Sequence, residues 1–180
     1  MQPRTTLIRR NVLSDLADLN DAGADALRPR LLALTASPAW ADALLAARPF
    51  DDLDALLAAS DDIIADLDES QIDAALDGHP RIGERAAHLD DESAARSARE
   101  QAGMSQADTD TQEAMARGNA DYEERYGRIY LVAAAGRSAE DLLAYLRERM
   151  GNDPDTELDV VRGELARITR LRLNDSWGDA

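Results

Sequence analysis

The end of the chain, residues 153–174, limits the possible folds most, because it predicts one long amphipathic helix. Asp153 followed by Pro154 is a helix start, since an aspartate caps free N–H groups and proline suits the first turn. Apolar residues then recur on one face, at Leu158, Val161, Leu165 and Ile168. The next position of that face is Arg172, and a guanidinium on a buried face needs an anion or several acceptors. Arg172 is therefore a candidate for a structural salt bridge or for an anion site.

The rest of the sequence also favours helices. Aromatic residues make up only 4% of the chain while alanine and leucine are abundant, which is typical of helices that pack through small side chains. The length of 180 residues fits one domain. We therefore predict an all-α fold, a single-domain compact helical bundle of about eight to nine helices over residues 1–180. The predicted helices cover residues 19–34, 38–47, 52–59, 61–67, 70–76, 93–102, 105–126, 138–150 and 153–174.

Local signals set several of these boundaries. N-cap signals occur at Ser37, Ser138 and Asp153, and Ser105 with Asp108 resembles a capping box. Glycines are expected to end three of the helices, at Gly78, Gly103 and Gly127. The apolar stretch RIYLVAAAG, residues 128–136, is short for a helix, so we interpret it as a buried extended segment, with a helix as the alternative.

The charge of the chain limits its partners. A net charge of −16 spread along the chain argues against nucleic acid and anionic membranes, which need clustered basic residues. No run approaches the roughly 20 apolar residues that span a bilayer, and residues 1–12 lack the apolar core of a signal peptide. We predict a cytoplasmic protein, which agrees with the absence of cysteine.

Missing residue types exclude several kinds of catalysis. Without cysteine there is no thiolate nucleophile, iron–sulfur cluster or cysteine-based zinc site. All 20 basic residues are arginine, so no lysine can form a Schiff base. The two histidines, His79 and His88, are too few for a multi-histidine metal site, and no glycine-rich phosphate loop is present. An enzyme of this composition is expected to use acid–base chemistry without a cofactor or metal, although a carboxylate-rich magnesium site stays open.

The remaining reactive side chains concentrate in residues 79–103. His79 precedes Pro80, and about twenty residues later Ser97, Glu100 and Gln101 follow at helical spacing. Residues three and four apart share one helix face, so a hydroxyl, a carboxyl and an amide would point the same way, as in a site for a small polar molecule. The alternatives are that His79 is a turn residue and that the other three form a solvated helix face.

The order of the motifs is similar to that of a known family. Seven segments in order resemble the OHCU decarboxylases, the 2-oxo-4-hydroxy-4-carboxy-5-ureidoimidazoline decarboxylases of urate breakdown. They are SPAW (37–40), RPF (48–50), HPRIG (79–83), SAREQAG (97–103), NADYEERYG (119–127), GRS (136–138) and LRL (171–173). The resemblance covers about residues 19–173, and its pairing of HP with SxxEQ is specific.

The resemblance implies an all-helical fold and the conversion of OHCU to (S)-allantoin and carbon dioxide without a cofactor. It implies that His79 is the catalytic acid and that a set of other residues contacts the substrate. These are Pro80, Ser97, Glu100, Gln101 and the backbone of Leu131, Val132, Ala133, Ala134 and Ala135. Arg172 matches the arginine of the family's terminal motif, and the family's frequent dimers imply a homodimer.

From these residues we predict how the site works. The carboxylate of OHCU lies beside a ring imine, so the substrate itself can accept the electron pair that decarboxylation leaves behind. The protein must then orient the carboxylate and deliver a proton to one face of the carbon. Glu100 is expected to pair with His79 and keep it partly protonated, which makes Glu100 part of the catalytic pair. Arg172 would hold an anionic group of the substrate, while Ser97 and Gln101 would hydrogen-bond its ureido and ring groups.

Two departures from the family pattern add arginines near the expected pocket. Arg81 lies in HPRIG and Arg128 in YGRIY, where many members have HPDLAG and a phenylalanine-rich motif. Two other functions stay open, a non-catalytic helical interaction module and an acid–base hydrolase of another ureide ring.

Overall fold

The computed structural model describes residues 15–84 and 91–178, which fold into helices joined by turns and one extended segment. The described residues contain ten helices and no strand, so the all-α prediction is confirmed and the count is close to eight to nine. None of these helices is long and apolar enough to cross a membrane. In order they are α1 Leu16–Asp21, α2 Ala24–Thr35, α3 Pro38–Ala46, α4 Leu53–Ala65, α5 Glu69–Leu76, α6 Asp91–Glu100, α7 Ala102–Ser105, α8 Thr109–Tyr126, α9 Ala139–Arg149 and α10 Pro154–Trp177.

Side-chain caps define most helix starts. The side chains of Ser37, Ser138 and Asp153 accept hydrogen bonds from the backbone N–H groups three residues on, as predicted. The start predicted at Ser105 is wrong, because α8 begins after Asp108, whose carboxylate accepts from Thr111 N–H at 2.9 Å. The Ser105 hydroxyl instead donates to the Ala102 carbonyl within α7.

Two predicted helix boundaries are wrong for local reasons. The helix predicted over residues 19–34 is two helices, because the backbone is extended at Ala22 and Gly23 between α1 and α2. The helices predicted over 52–59 and 61–67 are the single helix α4, and Ser60 lies inside it. The hydroxyl of Ser60 is buried and accepts a hydrogen bond from Trp40 Nε1 at 3.0 Å.

Glycines have different roles at the three positions where they were expected to end helices. Gly127 ends α8 in the left-handed conformation at φ 71°, as predicted. Gly103 lies within α7, so it does not end the helix that carries Ser97; a Cβ there would lie 2.4 Å from the Arg137 carbonyl oxygen. Gly78 follows the end of α5, and a Cβ there would lie 2.4 Å from Ala36 Cβ. Close packing therefore explains Gly78 and Gly103.

The core consists of two hydrophobic clusters. The first is formed by α1 to α5 with α10, and α10 packs along α4 and α2. The second is formed mainly by α8 and α9. Residues 129–134, which we call the bridging segment, connect the two clusters. Leu131 belongs to the first cluster, whereas Tyr130 and Val132 belong to the second. Alternate side chains that face opposite sides are the pattern of an extended backbone, so the predicted extended segment is confirmed over residues 129–134. Ala135 and Gly136, which were predicted as part of it, form an exposed turn.

Candidate functional site

His79 is buried directly after the end of α5. Its backbone N–H donates to the Leu76 carbonyl at 2.9 Å, and its ring Nδ1 lies 3.1 Å from the Ala75 carbonyl oxygen. A carbonyl only accepts hydrogen bonds, so Nδ1 carries the proton. The ring is thus fixed, and Nε2 points away from α5 towards α10.

Arg172 of α10 lies beside that nitrogen, on the buried face that the apolar pattern predicted. Its Nη1 is 3.2 Å from His79 Nε2 and donates to the Leu34 carbonyl at 2.6 Å. Its Nε and Nη2 donate to the two carboxylate oxygens of Glu100 at 2.8 and 2.7 Å. A guanidinium only donates hydrogen bonds, so His79 Nε2 accepts, and the imidazole is neutral.

The expected pairing of Glu100 with His79 is wrong. Glu100 binds Arg172 through both oxygens, which is the geometry that a planar guanidinium favours. Burial first, and the positive charge of Arg172 second, lower the pKa of His79 to about 3, against a small opposing effect of its bond to Ala75. His79 is therefore not partly protonated near neutral pH in the free protein.

The other two polar residues of the predicted site lie on α6 and directly after it. The Ser97 hydroxyl is buried and has no hydrogen-bond partner in the described part of the chain. Gln101 Oε1 accepts from Gly83 N–H at 3.0 Å, which ties the loop after His79 to α6. A buried hydroxyl without a partner is uncommon in folded proteins, so Ser97 is available to a bound molecule.

One small cavity brings most of the predicted site residues together. This inner cavity has a volume of about 20 Å³. It is lined by His79, Pro80, Ile82, Ser97, Glu100, Gln101, Tyr130, Leu131, Val132, Ile168 and Arg172. A water molecule needs roughly 10–15 Å³, so the inner cavity itself holds about one water.

Two larger clefts adjoin the inner cavity. The α6 cleft, of about 630 Å³, shares Pro80, Ser97 and Gln101 with it. The α8 cleft, of about 530 Å³, shares His79 and Pro80. A substrate larger than water must therefore extend from the inner cavity into one of these clefts.

Three predicted substrate contacts lie away from the inner cavity. Ala133 donates its N–H to Glu164 Oε2 at 2.8 Å, and the Ala134 carbonyl accepts from Arg137 N–H at 3.1 Å. Ala135 is exposed. Their contacts with a substrate stay predictions.

The two arginines that depart from the family pattern lie at the α8 cleft, and both are paired. Arg81 Nε is 2.5 Å from a Glu123 carboxylate oxygen. Arg128 forms ion pairs with Glu69 and with Asp73, the latter at 3.1 Å. Their charges are therefore balanced locally.

The sequence interpretation missed a set of buried charges behind the bridging segment. Arg149, Glu157 and Glu164 are each 1% exposed. The two glutamates are seven residues apart on α10, next to its apolar face, and this spacing is the signal that could have identified them.

Fold and site together define an all-helical protein with a buried polar site for a small molecule. Residues 20–174 match the family model described as OHCU decarboxylase. The chain belongs to the OHCU decarboxylase family, in agreement with the resemblance predicted over residues 19–173.

Individual relatives agree with this assignment. The 2-oxo-4-hydroxy-4-carboxy-5-ureidoimidazoline decarboxylase of Amia calva is 32% identical over 141 residues, which are 77% of this chain and 79% of that protein. The uric acid degradation bifunctional protein PucL of Bacillus subtilis is 30% identical over 88% of this chain, which spans 32% of the longer protein. A crystal structure of OHCU decarboxylase in the presence of (S)-allantoin has the same fold, with a TM-score of 0.71 and 21% identity over 83% of this chain and 98% of that one.

Proposed function

We propose that this chain decarboxylates OHCU to (S)-allantoin and carbon dioxide in urate degradation. The observation that carries the proposal is the convergence of His79, Arg172, Glu100 and Ser97 on one inner cavity in a member of this family. The enzyme is a carboxy-lyase.

The chemistry needs little beyond orientation and a proton. The bond between the ring carbon and its carboxylate breaks, the electron pair moves into the adjacent ring imine, and carbon dioxide leaves. The former imine nitrogen takes up a proton, and a second proton adds to one face of the neighbouring ring carbon that carries the ureido group. The hydroxyl on the carbon that lost its carboxylate gives up its proton and becomes the carbonyl of allantoin. Because the substrate ring accepts the electrons, the reaction needs no cofactor or metal, and the protein contributes position and proton transfer.

We assign the proton transfer to His79. Its imidazole is neutral in the free protein, so it must take up a proton before it can deliver one. A bound carboxylate would favour this uptake, because a negative charge nearby raises the pKa of a histidine. The fixed orientation of Nε2 beside Arg172 supports delivery of the proton to a single face of the substrate.

We assign substrate binding to the residues around His79. Arg172 holds the carboxylate through the second N–H of Nη2, while Glu100 keeps the guanidinium in place. Ser97 and Gln101 hydrogen-bond the ureido and ring groups from the α6 cleft. The backbone at Leu131 and Val132 closes the opposite wall.

We further propose that the protein is a cytoplasmic homodimer without nucleic acid or membrane partners. The cysteine-free composition is compatible with a reducing compartment, and the charge of −16 disfavours polyanions.

Leu171, on α10, is 43% exposed and lines a groove of about 480 Å³. An exposed leucine beside a groove is the kind of surface that a second copy would cover in the proposed dimer. Light scattering of the purified protein tests the dimer, and a monomer at micromolar concentration contradicts it.

The activity is tested with OHCU made freshly from urate by uricase and hydroxyisourate hydrolase. Circular dichroism should show the dextrorotatory allantoin forming faster than by spontaneous decay. His79→Ala should lower kcat by about 10²-fold or more, the usual scale of general acid–base catalysis.

Other outcomes would contradict the proposal. No acceleration by folded wild-type protein would indicate an interaction module, and consumption of hydroxyisourate or allantoin would indicate a hydrolase. Near-normal turnover by folded His79→Ala would remove His79 from the mechanism.

A further inference from the structure

We propose that Arg149 and Glu164, two buried charged residues outside the inner cavity, are positioning residues that hold the backbone of Val132 at the active site. The inference rests on the proposed function, because it concerns the wall of that same site. Neither side chain lines the inner cavity. Both act through the bridging segment, which lies between them and His79.

Arg149 holds the first half of the segment. Its Nη1 donates to the Leu131 carbonyl at 2.6 Å, and its Nε and Nη2 donate to Glu157 Oε1 at 2.9 and 2.5 Å. Its guanidinium also lies 4.7 Å from the ring centroid of Tyr130. These contacts fix the guanidinium on several sides, so the position of the Leu131 carbonyl is fixed as well.

Glu164 holds the second half. Its Oε2 accepts from Ala133 N–H at 2.8 Å. Its Oε1 accepts from the Tyr145 hydroxyl at 3.2 Å and from Arg167 Nη1 at 2.5 Å. The carboxylate is thus oriented by two donors on its other oxygen, and it fixes the Ala133 amide.

The hydrogen bonds of Arg149 to Leu131 and of Glu164 to Ala133 together determine where the N–H and C=O groups of Val132 point. In an extended backbone, the polar groups of residues 131 and 133 point to one side, and those of residue 132 point to the other. Val132 is 3% exposed and lines the inner cavity. Within the described residues, neither its N–H nor its C=O has a hydrogen-bond partner. Buried backbone groups are nearly always paired, so these two groups are available to a molecule in the cavity.

Stability alone is a weak reason for these charges. A buried ion pair contributes little net stability, because removing two charges from water costs about as much as their attraction returns. Glu157 and Tyr122 complete the polar network around Arg149 without reaching the cavity. What the network achieves is a fixed carbonyl at Leu131 and a fixed amide at Ala133.

The test uses Glu164, because replacing Arg149 leaves Glu157 buried without its cation and can prevent folding. Glu164→Met removes the acceptor for Ala133 N–H, and Glu164→Gln keeps an acceptor of the same size. Arg167→Met is the matched control: the Arg167 side chain is 66% exposed, so water can replace it at Glu164 Oε1, and the hydrogen bond to Ala133 stays. We expect Glu164→Met to lower kcat by about 10-fold or more with a smaller change in KM, since it misplaces a group that acts on the bound substrate. Glu164→Gln and Arg167→Met should stay within about threefold of wild type.

Amide hydrogen exchange provides a readout independent of activity. The Ala133 amide should exchange at least tenfold faster in Glu164→Met and at the wild-type rate in Glu164→Gln and Arg167→Met. Folded Glu164→Met with wild-type kcat, or Glu164→Gln as impaired as Glu164→Met, would overturn the inference. If wild-type protein does not act on OHCU, the proposed function fails. The exchange rates would then still show whether Glu164 holds the segment.

Discussion

At the scale of single residues, burial and the neighbouring Arg172 together keep His79 neutral. The imidazole lies between a carbonyl oxygen and a guanidinium, and it is neutral because its burial and the charge of Arg172 disfavour a second proton more than the bond to the Ala75 carbonyl favours it. In wild type we expect no titration of His79 between pH 5 and 8, as followed by nitrogen NMR of the imidazole. The resonance is assigned by its loss in His79→Gln.

Replacing Arg172 should change the pKa of His79. In Arg172→Met the cation is gone and the carboxylate of Glu100 loses its partner, so the pKa of His79 should rise. KM for OHCU should rise about 10-fold or more, the scale of a lost charged hydrogen bond. Arg170→Met is the matched control, because Arg170 lies on the exposed side of α10 and pairs with Asp61 at 2.6 Å. An unchanged His79 pKa in Arg172→Met, or an equal KM effect of Arg170→Met, would contradict the assignment.

The residue scale also separates what the sequence could predict from what it could not. The buried side chain of Arg172 was predictable, because it interrupts an apolar face. The partner of Glu100 was not, since Glu100 and Arg172 are 72 residues apart and meet only because the fold brings the end of α6 next to α10. Spacing within one helix shows which side chains share a face, but it does not show which charged group another helix presents.

At the scale of elements, the contact between the ends of α2 and α5 supports the site. Ala36 follows α2 in the left-handed conformation at φ 54°, and Gly78 packs against it one residue before His79. The Leu34 carbonyl, near the end of α2, accepts from Arg172. Any change that separates these helix ends should therefore disturb both His79 and Arg172.

A pair of substitutions tests this contact. Gly78→Ala places a Cβ against Ala36 Cβ, so it should destabilise the fold by about 1–3 kcal/mol and lower kcat/KM. Ala36→Gly alone should be close to neutral in stability, because glycine suits a positive φ. In the double variant the clash is absent, so stability and activity should largely return. Urea unfolding and kinetics of all four proteins measure the coupling, and additive effects of the two substitutions would contradict it.

The same scale shows why some helix boundaries could be predicted. Starts with a capping side chain, such as those at Ser37 and Asp153, are encoded locally and were predicted correctly. By contrast, the Ser60 hydroxyl inside α4 bonds Trp40 on another helix, and neighbouring residues do not reveal such a partner, so two helices were predicted in place of one. Close approaches such as that of Gly103 to Arg137 are likewise decided by packing.

At the scale of the whole molecule, the buried neutral His79 couples stability to pH. Its pKa is lowered in the folded protein, so the unfolded chain binds a proton that the folded chain does not between roughly pH 6.5 and 3. Stability from this group is fully present above pH 6.5 and is lost as the pH falls. The loss approaches about 1.4 kcal/mol per pH unit, or about 2 kcal/mol at pH 5 relative to pH 7.

Other ionisable groups change the stability outside this pH range, or change it equally in wild type and in the matched variant His79→Gln. Hydrogen bonds lower the pKa of carboxyls such as Asp68, Asp108 and Asp153, whose stabilisation is lost only as the pH falls below about 4. Relief of charge repulsion in a chain of net charge −16 opposes the His79 effect, but it is shared by His79→Gln. Urea unfolding at pH 7, 6 and 5 measures the free energy of unfolding of both proteins. Between pH 7 and pH 5, wild type should lose about 2 kcal/mol more than His79→Gln loses. Parallel pH dependences of the two proteins would mean that His79 is not held neutral in the folded state, and the proton-transfer role proposed for it would need a different starting protonation state.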